Sequence, residues 1–169
     1  MSTDVLSEDE YKALTEAARD EEGERGLLLL TLLKTGARRN EVINLRVEDV
    51  SLAEGHLTMG SPKSAHSRQV PLVEPLLTEL REHVEERDSG FVFEELGGDT
   101  HNAWRVARLV RQTAKKAGIE RRVGVGEIRS TVAHLLAKRG GVTFEQIRAF
   151  LGHTTAESTS APMVKFLEG

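Results

Sequence analysis

Residues 24–36 read ERGLLLLTLLKTG, a segment in which leucines occupy every face of a helix. A helix that is apolar all round is buried rather than amphipathic. The leucine run is much shorter than the ~20 apolar residues that cross a bilayer, and Gly36 provides a typical helix end. The segment therefore predicts a deeply buried helix over residues 24–34.

More helices are predicted on both sides of this segment. Ser7 and Glu10 have the spacing of a capping box, which predicts a helix through about Arg19. The same spacing at Thr143 and Gln146 predicts a short helix that ends near residue 150. Apolar periodicity predicts the remaining helices at residues 38–45, 73–86, 102–117 and 128–138.

A small sheet is predicted in the first half of the chain. Short extended runs at residues 50–52, 56–59 and 68–72 are separated by turn signals at residues 53–55 and 60–62, the pattern of an antiparallel sheet with three strands. The expected fold class is mainly α (α+β). We expect residues 1–169 to form one domain, without a separate N-terminal DNA-clamping domain.

The composition is that of an ordinary globular protein, with 38% hydrophobic and 30% charged residues among 169. That length is enough for one buried core. The absence of cysteine excludes disulfides, cysteine nucleophiles and thiolate metal sites. The N-terminus is acidic where a signal peptide would be basic. We therefore expect a soluble, cytoplasmic protein with no membrane partner.

The net charge of −4 conceals a strong asymmetry. Residues 1–25 hold nine acids and three bases, and residues 26–100 hold thirteen acids and eight bases. Residues 101–169 hold five acids and twelve bases. A positive region on an otherwise acidic domain suits a surface that meets phosphates, but a set of solvated helices explains the charges equally well.

Several classes of site find no support, and we predict neither a cofactor nor a metal. There is no glycine-rich phosphate loop, and the six histidines lack metal-ligand spacing. The remaining candidates are cations in unusual settings: Arg38 after a glycine turn, Arg129 in an otherwise apolar helix, and Lys63 in a hairpin. An arginine near a core needs a carboxylate or a bound anion, and the residues alone leave both open.

The predicted helix at residues 102–117 carries a stripe of arginines at every third position. Such a stripe is either an edge that contacts phosphates or a solvated face. We predict that the helix contacts DNA through Arg105, Arg108, Arg111, Lys115 and Lys116. Trp104 is expected to pack this helix against the core, and His134 is expected to be a buried core histidine.

Four motifs, in this order, resemble those of the tyrosine recombinases, the phage integrase family. TGARRNEVINL at residues 35–45 is similar to the first arginine motif, and residues 59–72 resemble the lysine-bearing hairpin. EIRSTVAHLL at residues 127–136 resembles the second arginine box, and FLGHTT at residues 150–155 resembles the leucine-glycine-histidine box. The resemblance implies a mostly helical catalytic domain with a small sheet.

The resemblance also implies roles for particular residues. In that family a tyrosine attacks a DNA phosphate, so the implied partner is double-stranded DNA. Arg38 and Arg129 would bind the scissile phosphate, where planar bidentate donors suit the charge on its oxygens. Lys63 would act as the general acid and His153 would hydrogen-bond the phosphate. Glu41 would hold the surroundings of the first arginine in place.

Two positions depart from the family pattern. Gly126 stands where the second arginine box normally begins with histidine or lysine, and Pro162 stands at the position of the nucleophilic tyrosine. The only tyrosine of the sequence is Tyr11, in the predicted acidic N-terminal helix. Because removing the nucleophile eliminates a covalent pathway, we expect no autonomous cleavage of DNA.

Three hypotheses follow from these residues. The first is a degenerate recombinase domain that binds duplex DNA without cleaving it. The second is an accessory subunit that receives a tyrosine from an intact recombinase, or that associates with itself through its C-terminal segment. The third is a protein-interaction or regulatory module of recombinase ancestry, which the acidic first hundred residues suit. The two arginines and the positive C-terminal part favour the first hypothesis.

Overall fold

The computed structural model describes residues 5–60 and 67–152. These residues form seven α-helices and three short strands, so the predicted class, a mostly helical fold with a small sheet, is confirmed. In chain order the elements are α1 (Glu8–Arg19), α2 (Glu24–Thr35), α3 (Arg39–Ile43), β1 (Val50–Ser51), β2 (His56–Met59), β3 (Arg68–Pro71), α4 (Leu76–Val84), α5 (His101–Lys116), α6 (Val125–Arg139) and α7 (Phe144–Phe150).

Helix α2 lies at the centre of the core, as its sequence predicts. Every residue from Leu27 to Thr35 is buried, and the helix packs against α1, α3, α4 and α6. Gly36 ends it in the left-handed conformation, with φ +65°. On folding, these leucine side chains move from water into the core on every side of the helix. This burial of apolar surface is the main force stabilising the fold. Because other helices cover α2, its residues contact the elements that pack around it.

The three strands form an antiparallel sheet in the order β1-β2-β3. Val50 pairs with Leu57, and Met59 pairs with Arg68 at the end of the β2-β3 ladder. Since side chains alternate between the faces of a strand, Arg68 lies on the same face as the fully buried Val70. This placement brings a guanidinium group into the interior, where it is only 8% exposed.

The helix bounds differ from prediction at two N-termini. Helix α4 begins at Leu76 rather than near residue 73, because Pro75 disfavours the helical conformation at the residue before it. Helix α6 begins at Val125, where the Glu127 carboxylate accepts the Gly124 N–H at 2.6 Å. The capping boxes predicted at α1 and α7 are both present.

Two expectations about buried side chains are wrong. Trp104 is 59% exposed, because the buried stripe of α5 runs through Ala103, Val106 and Val110 and leaves its neighbour on the outside. His134 is also exposed, since the buried face of α6 is turned away from this position. Among the described residues, no helix has the length and apolarity needed to span a membrane.

Candidate functional site

A cleft of about 710 Å³ opens where α3, α5 and α6 approach one another. Among the described residues its wall is strongly basic and holds one carboxylate, that of Glu127. The arginines that line it are Arg38, Arg39, Arg111, Arg121, Arg122 and Arg129. Side chains of one sign in a concave, partly dry wall concentrate the opposite charge, so the cleft is suited to an anion.

Arg38 stands at the N-terminal cap of α3 and is fixed by Glu41. The Arg38 backbone N–H donates to Glu41 Oε1 at 2.9 Å, and Arg38 Nη1 lies 3.4 Å from Glu41 Oε2. A glutamate three residues into a helix can accept the orphan N–H of the cap in this way. The predicted role of Glu41, to hold the surroundings of Arg38, is consistent with this contact.

Glu41 is shared between two arginines. Arg68 on β3 donates to both carboxylate oxygens, at 2.7 and 3.1 Å, and its Nε donates to the Phe150 carbonyl at 2.8 Å. The side chains of Arg68 and Glu41 are only 5% and 9% exposed. Burial alone would raise the pKa of Glu41, but the hydrogen bonds and charges of Arg68 and Arg38 lower it below the usual value. Glu41 is therefore an anion at neutral pH, held between two cations.

Arg38 and Arg129 meet at one backbone carbonyl. Arg38 Nη1 donates to Leu151 O at 3.4 Å, and Arg129 Nη2 donates to the same atom at 3.1 Å. Arg129 Nη1 also donates to the Gly36 carbonyl at the end of α2. Burial, and then the nearby charges of Arg38 and Arg68, lower the pKa of Arg129 to about 10. The charge of Glu41 acts in the opposite direction and favours the charged form of Arg129, and an anion bound beside Arg129 would do the same.

Gly152 allows these side chains to approach the corner after α7. Its φ is +84°, and a Cβ atom there would lie 2.7 Å from Arg68 Nη1 and 3.0 Å from Arg38 Nη1. Only glycine combines this backbone conformation with this lack of bulk. The leucine-glycine pair of the last motif therefore has a structural role. The Leu151 carbonyl accepts hydrogen bonds from the two arginines, and Gly152 leaves room for the guanidinium groups.

Gly126 presents open space on the cleft wall. A Cβ atom at this position would have no other atom within 4 Å, so a larger side chain fits there. Among the described residues that line the cleft, none is a tyrosine. Tyr11 lines a different cavity, and its hydroxyl donates to the Leu33 carbonyl. The described part of the chain also holds no cluster of three His, Asp or Glu side chains that could ligate a metal.

The other predicted residues are not all brought to the cleft. Lys63, His153 and Pro162 lie outside the described residues. Of the basic residues on α5, Arg111 lines the cleft, whereas Arg105 and Arg108 line another cavity of about 190 Å³. A spacing of three residues rotates each successive side chain around the helix, so the predicted stripe divides between two surfaces. Lys115 is exposed, and Lys116 is paired with Glu21 at 2.7 Å.

Sequence reasoning missed Arg68, which the structure joins to Arg38 through Glu41. The signal was available: Arg68, Val70 and Leu72 alternate along one strand, which puts the arginine on the buried face. It also missed Arg121, whose guanidinium binds Glu10 of α1 at 2.9 Å while lining the cleft. That contact joins residues 111 positions apart, and no local pattern predicts it.

Comparison with known sequences identifies relatives along nearly the whole chain. The phage integrase family model matches residues 4–161. The tyrosine recombinase XerA of Pyrococcus furiosus is 31% identical over 159 residues, which cover 91% of this chain and 54% of that protein. A tyrosine recombinase of Thermosipho africanus is 32% identical over 160 residues, covering 93% and 56%. The chain spans about half the length of the curated relatives it matches.

Solved structures share the same fold. A crystal structure of XerA recombinase matches with a TM-score of 0.73 and 26% identity, covering 98% of this chain and 58% of that one. The XerH site-specific recombinase, in a pre-cleavage complex with its difH substrate, matches with a TM-score of 0.70. At 22% identity, over 96% of this chain and 49% of that one, this second likeness concerns the fold alone.

Proposed function

The chain belongs to the phage integrase family, and on that premise we propose that its arginine-lined cleft binds the phosphate backbone of duplex DNA. One observation carries the proposal: Arg38 and Arg129, from two separate motifs, both line the cleft and converge on the Leu151 carbonyl. Two guanidinium groups held side by side match the geometry of phosphate oxygens. By resemblance, Lys63 and His153 add further contacts to the same phosphate.

We propose binding without autonomous cleavage, because no tyrosine lines the cleft among the described residues and Pro162 stands at the family position of that nucleophile. Tyr11, the only tyrosine of the chain, has its hydroxyl engaged with Leu33, and burial raises its pKa well above the usual range. The position that carries a histidine or lysine in the family is Gly126, which has no proton to transfer. A missing nucleophile removes the covalent pathway rather than slowing it.

The same observation supports a second role. A cleft that holds the two arginines but lacks a tyrosine could serve as the receiving site for the tyrosine of an intact recombinase. Gly126 would limit the rate of such a reaction, since a general acid or base contributes roughly 100- to 10,000-fold. The expected product is an adduct between DNA and the partner, and never between DNA and this chain.

Binding is tested by fluorescence anisotropy with a short labelled duplex at low salt. The substitutions Arg38→Gln and Arg129→Gln are each expected to weaken binding by about 10-fold or more, the loss of a charge-assisted hydrogen bond of about 1.5–3 kcal/mol. Arg81→Gln is the matched control, because Arg81 is exposed on α4 and does not line the cleft. A dissociation constant weaker than about 100 µM at low salt is below ordinary non-specific contact and contradicts the proposal. Equal losses in all three variants also contradict it.

Cleavage is tested with a suicide duplex that traps covalent intermediates. The chain alone is expected to yield no adduct on a denaturing gel. Adding an active recombinase of the same family should then label only the partner. An adduct with this chain alone overturns the non-cleaving assignment while leaving the DNA-binding assignment intact.

A further inference from the structure

A second cavity, of about 510 Å³, lies between α1 and α6 on the other side of the last turn of α2. Its volume is in the range of small-molecule sites. Tyr11 and Leu135 give it apolar walls, and Lys34 of α2 lines it as well. Of the predicted functional residues that the structure describes, none lines this cavity, so the DNA contacts proposed for them leave it unexplained.

Lys34 is the feature that calls for a ligand. The residue is only 3% exposed, and its ammonium group has no hydrogen bond or ion pair among residues 5–60 and 67–152. A lysine so largely enclosed, with no carboxylate paired to it, favours an anion in the cavity that it lines. Burial, and then the like charges of Arg19 and Arg139, lower the pKa of Lys34. An anion placed beside Lys34 would remove this penalty.

The other charges around the cavity restrict what that anion can be. Lys12, Lys138 and Arg139 add positive charge, while Glu8 and Glu16 add negative charge. Glu8 lies 3.2 Å from Lys138 and compensates it. With Lys34, four cations face two carboxylates among the described residues, so the cavity carries an excess of two positive charges and suits an anion. The apolar walls favour a ligand with a hydrocarbon body.

We propose that this cavity binds the carboxylate of a small apolar acid, with Lys34 as its counter-ion and Tyr11 and Leu135 around its hydrocarbon part. The site is distinct from the arginine-lined cleft and does not rest on the DNA-binding proposal. It commits to one ligand class, a monocarboxylate with an aliphatic or aromatic body. Neither the acid group alone nor the hydrocarbon alone should suffice.

The test is a titration of the full chain with hexanoate, followed by NMR of the backbone amides. Saturable binding is expected, with larger shifts at residues near 11, 34 and 135 than at residues near 38 and 129. Acetate, which has the charge without the body, and 1-hexanol, which has the body without the charge, should each bind at least about 10-fold more weakly. Shifts confined to the arginine-lined cleft contradict the proposal.

Lys34→Met removes the charge while keeping the length of the side chain, and should weaken hexanoate binding by about 10-fold or more. Lys12→Met is the matched control, because Lys12 lines the same cavity but is exposed; it should stay within about twofold of the original affinity. The shift map of the unmodified chain gives a second reading that depends on no variant. Equal affinity in both variants, or no saturation by about 10 mM hexanoate, overturns the assignment.

Discussion

Cationic side chains lie in the cleft and in the second cavity, and the two regions differ in how these side chains are paired. On the cleft side, Arg38 and Arg68 share the Glu41 carboxylate, and each donates to a backbone carbonyl as well. On the cavity side, Lys34 is as buried as Arg68, but its side chain has no partner among the described residues. The first arrangement fixes the direction of each guanidinium before any ligand arrives. The second leaves a charge uncompensated. Burial alone therefore does not identify a site; the pairing of the buried charge does.

The sharpest way to break this contrast is to remove the shared carboxylate. Glu41→Gln leaves two buried or half-buried guanidinium groups without their anion, and breaking a buried pair costs about 3–5 kcal/mol. We expect a loss of that size in the free energy of unfolding, measured with urea. A loss below about 1 kcal/mol, the level of a surface pair, contradicts the buried pairing.

The same pair predicts a dependence on acid. Because the folded state lowers the pKa of Glu41, the unfolded state takes up a proton first as the pH falls. The stabilisation is complete above the unfolded pKa and disappears as the pH drops through the lowered folded value. Urea titrations across this acidic range should show the effect in the original chain and not in Glu41→Gln.

The second prediction concerns the direction of Arg38. In Arg68→Gln, the Glu41 carboxylate has only Arg38 as a cationic partner in this corner, and should draw it away from the cleft. We expect DNA affinity to fall by about 10-fold, although Arg68 does not line the cleft.

The double variant Glu41→Gln/Arg68→Gln separates this effect from simple unfolding. Without the carboxylate, Arg38 is released again, so the double variant should bind DNA more tightly than Arg68→Gln alone. A double-mutant cycle in both stability and affinity measures the coupling. Purely additive losses contradict the role of Arg68 as a competitor for Glu41.

A third prediction compares two glycines of the same cleft region. Gly152→Ala places a Cβ against Arg68 and Arg38 at a positive φ, and should cost about 1–3 kcal/mol of stability. Gly126→Ala is the matched control, because its Cβ would meet open space in the first turn of α6. That change should be neutral or stabilise by about 0.5–1 kcal/mol. Similar losses in both would contradict the tight corner at Gly152.

The smallest expected effect lies on the cavity side. Lys34→Met replaces an unpaired buried ammonium with an apolar chain of similar length, and should stabilise the protein by about 1 kcal/mol. Because the folded pKa of Lys34 is lowered, stability should rise with pH between that value and the unfolded one. Thermal or urea unfolding at alkaline pH should show this rise, and the variant should lack it. A destabilised variant contradicts the unpaired state of Lys34.

The sequence predicts the elements of this fold better than the contacts between them. The run of leucines at 27–33 and the capping boxes at Ser7 and Thr143 are local signals, and the structure confirms the helices they predict. The convergence of Arg38 with Arg129 was implied by resemblance to a family rather than by any spacing. Arg68 and Arg121 were missed because their partners lie 27 and 111 residues away.

Errors in the sequence reasoning come from helix rotation. Trp104 was placed in the core by its residue type, whereas the buried stripe of α5 is set by Ala103, Val106 and Val110. A rotation of one position moves a side chain from the interior to solvent. Residue type suggests which side chains are apolar, but only the phase of the whole helix decides where each one points.

The last turn of α2 contacts residues of both the arginine-lined cleft and the second cavity. The Gly36 carbonyl accepts a hydrogen bond from Arg129, which lines the cleft. Two residues earlier, the Lys34 side chain lines the second cavity. A displacement of this turn is therefore expected to change both the arginine-lined cleft and the second cavity. The Thr35 hydroxyl donates to the Thr31 carbonyl at 2.7 Å. Substitutions at Thr35 would loosen this turn, so their effects on ligand binding in the cleft and in the cavity should be correlated.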